Sequence, residues 1–116
     1  MILLSNATNG TTGASFPCTH AGTYANMTRT FYLSGVLGTG GTVVIQYSPD
    51  SWLETGGGAG ATEFGVPDAS SRWFNGATIN SLTPGFITLT DIFRKVRAVV
   101  TAGDGTTNLT LEGVGP

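Results

Sequence analysis

The sequence predicts an all-β protein: an antiparallel β-sandwich, jelly-roll-like or immunoglobulin-like, with an extended N-terminal arm. Three observations predict it. Apolar and polar residues alternate with the period of two that strands impose, most clearly over Thr42–Ser48, where Val43, Ile45 and Tyr47 alternate with Val44 and Gln46. Turn chemistry recurs about every eight to twelve residues, the spacing of sandwiches and barrels. No segment carries a helical repeat over several turns, and Thr and Val, which favour strands, dominate the ordered-looking parts.

The elements follow in order. Met1–Ser5 is a short apolar run that suits an edge strand, and Asn6–Ser15 is a Gly/Thr-rich loop or arm. Asn26–Gly35 reads as a strand, with Met27, Phe31 and Leu33 on one face and Thr28, Thr30 and Tyr32 on the other. Gly38–Gly41 is a turn, then comes the Thr42–Ser48 strand, then a turn at Ser48–Ser51. Trp52 and Leu53 start a further strand. Glu54–Ala61 is a Gly/Ala loop, and Phe64–Val66 and Arg72–Phe74 are short apolar pieces. Ala77–Leu82 and Gly85–Thr90 are strand candidates around Thr83-Pro84-Gly85, with a corner at Asp91–Arg94. Lys95–Thr101 is a strand with Val96, Ala98 and Val100 on one face. Gly103-Asp104-Gly105 reads as a hairpin turn, and Thr107–Glu112 closes the fold. The expected core is Phe31, Leu33, Val43, Ile45, Trp52, Val96, Ala98 and Val100, with the ring of Tyr47 against it.

The organisation is therefore an N-terminal arm and edge strand over 1–22, then one sandwich domain over 23–116 with a loop insertion at about 54–83. At 116 residues the chain is one domain with a modest core. It has one Cys, so no internal disulfide reinforces it, and association is the remaining reinforcement. Only 10% of residues are charged, against about 25% in an average soluble domain. The net charge of −2 argues against a nucleic-acid partner. No run is long and apolar enough to span a bilayer, so no membrane role is expected. Met1–Ser5 is too short for a signal-peptide core, which places synthesis in a cytoplasm.

Chemistry-bearing residues are sparse. Cys18 and His20 supply two metal ligands at most, where structural zinc wants four, so no metal is expected. Asp50 and Asp104 sit in turns, where carboxylates bond the backbone, and no carboxylate pair is spaced for acid–base work. No catalytic residue and no cofactor is expected. The informative residues are apolar or basic ones outside the regular alternation: Ile2, Leu4, Phe16, Phe64, Arg72, Trp73 and Phe74, with Lys95 and Arg97 on one strand face. Aromatic residues beside Arg are the composition of interface anchors, so these nine are the interface candidates.

Several phrases carry a resemblance. Gln46–Asp50 followed by Trp52, the strand Gly85–Leu89, Val96–Val100 and Leu109–Leu111 together resemble small bacteriophage virion β-sandwich proteins of the capsid cement or decoration type. The similarity runs from Phe31 onward, and the long stretch between Trp52 and Gly85 departs from it. The resemblance implies a non-enzymatic component of the virion, made in the host cytoplasm. It also implies a homotrimer on the outer shell with the major capsid protein as partner. A tail or fibre module is the alternative within a virion. A carbohydrate-binding module that stacks sugar on Trp52 or Trp73 is the alternative of another class.

Overall fold

In the computed structural model, residues 1–17, 29–50, 66–90 and 93–115 are described. They form eight strands: β1 (Ile2–Ala7), β2 (Phe16–Pro17), β3 (Arg29–Val36), β4 (Thr39–Ser48), β5 (Phe74–Ile79), β6 (Phe86–Leu89), β7 (Lys95–Asp104) and β8 (Thr107–Gly115). One short 3-10 turn stands at Asp68–Ser70. The strands make two four-stranded sheets, in the orders β1-β8-β3-β6 (sheet A) and β2-β7-β4-β5 (sheet B). Every pairing is antiparallel. The fold is an all-β sandwich.

The strand order chooses between the two expected topologies. Strands pair as β1 with β8, β2 with β7, β3 with β6 and β4 with β5. The chain is thus one long hairpin, four strands out and four back, rolled so that β8 also meets β3 and β7 also meets β4. That is a jelly roll and not the immunoglobulin order. Sequential strands lie in different sheets except β4 and β5. The glycine turn at Gly103–Gly105 is therefore an arch from sheet B to sheet A, where a hairpin was expected. Alternation shows that one face of a strand is buried. It does not say which strand lies beside it. A second arch, with Gly41 N–H donating to Gly38 O at 2.7 Å, packs against the first. Gly103 has φ +115°, and a Cβ there would stand 2.6 Å from Gly41 Cα, so backbone meets backbone at this end.

Between the sheets lies one core. Phe31, Leu33, Val43, Ile45, Val96, Ala98 and Val100 are all buried there, in the register the alternation implies. Tyr47 packs against that core beside Phe93, ring centroids 5.9 Å apart. Trp52, Met27, Thr28 and Phe64 lie outside the described residues, as do Cys18, His20 and residues 54–65 of the insertion. The segment expected as an arm is woven into both sheets as far as Pro17. β1 pairs with β8 and β2 with β7, and Thr12 bridges Val99. Leu3 and Leu4 are both buried although adjacent, because β1 changes register between Ile2 and Leu4. The edge strand expected over Met1–Ser5 is therefore present, and the bulge hides only which of its residues are buried. The strand expected at Ala77–Leu82 starts earlier, at Phe74. Its register shift opposite Ile45/Gln46 lets Gly76 lie against Leu89 and Tyr47.

Candidate interaction faces

One end of the outer face of sheet B, around the start of β7, is covered by the chain itself. Its anchor is Lys95, the sole lysine of the sequence. Lys95 begins β7 and is 0% exposed, the reverse of the usual fate of lysine. Its ammonium donates to Val66 O (2.8 Å), Ser71 Oγ (2.6 Å) and Asp68 Oδ1 (3.3 Å). Three donors meet three acceptors, which is what a buried ammonium requires. Asp68 in turn accepts from Ser15 Oγ at 2.7 Å, which draws the N-terminal segment into the same cluster. Burial pushes the Asp68 carboxyl up, but the hydrogen bonds from Ser15 and Lys95 and the Lys95 charge outweigh it. The net result lies below the ordinary carboxylate range.

Trp73 completes this cover. Its indole N–H donates to Asp68 O at 2.9 Å. The Arg97 guanidinium lies 4.0 Å from the centre of its ring and the Lys95 ammonium 5.3 Å. Arg97 also donates from Nε to Gln46 Oε1 at 2.8 Å. Desolvation pulls the Arg97 pKa down from its ordinary value. The Trp73 ring and both β7 cations are thus engaged within the chain.

Beside this cover stands an exposed patch. Asp50, in the Ser48–Asp50 turn, accepts from the Arg72 backbone N–H at 2.7 Å and from Arg72 Nη2 at 2.9 Å. These bonds from Arg72 hold the Asp50 carboxyl down at about 2, and Asp50 raises the Arg72 pKa. Phe74 stacks on Tyr47 with centroids 5.7 Å apart and is still 48% exposed. An arginine fixed in direction beside an aromatic ring is a ready contact for another surface.

Sheet A presents a different outer face. Tyr32 on β3 and Phe86 on β6 are register partners and stack at 4.8 Å, 45% and 59% exposed. Around them stand Thr30 and Thr88, whose hydroxyls bond each other, and Ser34, whose hydroxyl donates to Glu112. Ile2 and Val36 are also exposed. Glu112 is the one charged side chain on this face among the described residues.

Of the nine interface candidates, Ile2, Arg72 and Phe74 are exposed. Leu4 and Phe16, at 3% and 6% exposure, belong to the core because β1 and β2 are sandwich strands. Lys95 is withdrawn too, since its ammonium is saturated internally. Trp73 and Arg97 hold each other, and Phe64 lies outside the described residues. The alternation had placed Tyr32 on the outward face, so an exposed aromatic was readable there. Phe86, Asp68 and Ser71 had no signal of their own. At the arch end, an open depression is lined by Gly35, Gly38, Gly40, Gly41, Asn80 and Ser81, among others, with no titratable side chain among the described residues. No family model, curated protein or solved structure matches this chain.

Proposed function

We propose that this chain is a non-enzymatic structural protein of a bacteriophage particle, of the capsid cement type. It docks on the major capsid protein as a homotrimer and strengthens the shell. The resemblance of Gln46–Asp50, Val96–Val100 and Leu109–Leu111 to small virion proteins supports the reading. A jelly roll is compatible with it, although the same architecture serves lectins and cupins and so does not choose a function. The observation that carries the proposal is the Arg72–Phe74 patch. Asp50 fixes the arginine before any partner arrives, so little side-chain entropy is lost on docking. Phe74 offers apolar area beside it. Each contact is weak alone, and many copies on one shell reinforce one another.

The test is made on purified particles of the phage that encodes the chain. Mass spectrometry is expected to find it at a stoichiometry that matches the shell and not the tail. Phe74→Ala is expected to weaken occupancy by about 2 kcal/mol, the scale of an interface anchor, beyond a stability loss of about 1 kcal/mol from the lost stack on Tyr47. Absence from the particle, or full occupancy by the variant, would overturn the proposal.

A further inference from the structure

The outer face of sheet A holds an open space beside an exposed aromatic stack, a slot that no described residue fills. β3 lies between β8 and β6. Phe86, on β6, covers one face of the Tyr32 ring. On its other side β3 pairs with β8, where the residue opposite Tyr32 is Gly113. A cross-strand aromatic often lies down over such a glycine. Here it does not, because a Cβ built on Gly113 would meet no atom within 4 Å. The space over Gly113 is thus open, with the half-exposed Tyr32 opposite it on the neighbouring strand. Glu112 stands at its edge, bonded to Ser34, and Thr110 lies in register with Ser34.

We propose that this slot binds one hexopyranose ring of a neutral glycan. The C–H face of a pyranose suits the negative face of the Tyr32 ring. Its hydroxyls find acceptors and donors in Glu112, Ser34 and Thr110, the few polar groups that fix orientation in a binding site. The charge on the face argues for the same occupant. With no basic side chain on it among the described residues, it offers nothing to phosphate, sulfate or an acidic peptide. Size argues against a second protein. A four-stranded face about 15 Å across and about 25 Å long covers roughly 400 Å², half the area per partner of a standard stable interface. This inference is independent of the docking patch at Arg72 and Phe74.

The test uses cellohexaose and maltohexaose, titrated into the ¹⁵N-labelled full-length chain. At least one is expected to shift the amides of Tyr32 and Gly113 in a saturable way. Gly113→Val fills the slot at a position with room for the side chain, so it is expected to weaken binding at least about tenfold with the melting temperature unchanged. Tyr32→Ala is expected to weaken binding to the same degree, with a small drop in melting temperature from the lost stack on Phe86. Three results would overturn the proposal. The first is no shift with either sugar. The second is undiminished binding to Gly113→Val. The third is a change in oligomeric state in that variant, which would make the face a contact between copies.

Discussion

The two outer faces of this sandwich are built from strands of similar length and are finished in opposite ways. On sheet B, β7 places a lysine and an arginine outward, and the chain folds residues 66–73 back over them. On sheet A, the outward residues are threonines, serines and a stacked Tyr32–Phe86 pair, and nothing in the described chain covers them. Charge explains the difference. An ammonium on a sheet face either stays in water or must be given a full set of acceptors. The chain took the second course, with two oxygens from the 66–71 segment and a carboxylate that Ser15 also bonds. The outer face of sheet A, whose one charged side chain among the described residues is the exposed Glu112, makes no such demand and remains open.

The sharpest way to break this comparison is to remove the anchor. Lys95→Met keeps a long stem but leaves Val66 O, Ser71 Oγ and Asp68 without their donor. Because Asp68 is still 38% exposed at its side chain, the loss is less than for a fully buried pair. Urea denaturation is expected to show about 2–3 kcal/mol of destabilisation. A loss within error of zero would mean that the cover is held by Trp73 and Arg97 alone. Acid gives the next effect. The Asp50 pKa is depressed from 3.8 to about 2, and Asp68 is depressed as well. An acid with a lowered folded pKa stabilises the fold fully above its unfolded value, and that contribution is lost as pH falls through the folded value. Melting temperature is therefore expected to fall between about pH 4 and pH 2. Asp50→Asn should flatten part of that slope.

The smallest effect belongs to the open face. Phe86→Ala removes a half-exposed cross-strand pair and is expected to cost about 1 kcal/mol. A cost near that of Lys95→Met would show that the Tyr32–Phe86 stack is a structural part of sheet A and not a surface left free.

How far the sequence foretold this molecule follows the same division. Strands with unbroken alternation, such as Thr42–Ser48 and Lys95–Thr101, were legible together with the residues they bury. β1 was legible as an edge strand, but which residues it buries was not, because one extra residue brings Leu3 and Leu4 both inward. The partner of each strand was also hidden. In a jelly roll the residues joined by a tight turn, as at Gly103–Gly105, separate into different sheets. In the candidate sites, Arg72 and Phe74 were legible as exposed, since no alternation demanded their burial. Lys95 was misread because burial of a lysine depends on acceptors that lie 24 to 29 residues away in sequence. Trp73 shares that fate, since its indole N–H finds its acceptor only through the 3-10 turn at Asp68–Ser70.

Lys95 is held wholly inside the chain and anchors the cover over one end of sheet B. Having a single lysine makes this burial directly measurable. The native protein is treated with an acetylating reagent at neutral pH, digested and read by mass spectrometry, beside a sample denatured in urea. The account predicts that Lys95 stays unmodified in the native sample and is acetylated readily in the denatured one. Equal acetylation of Lys95 in both samples, with the fold intact by circular dichroism, would contradict it.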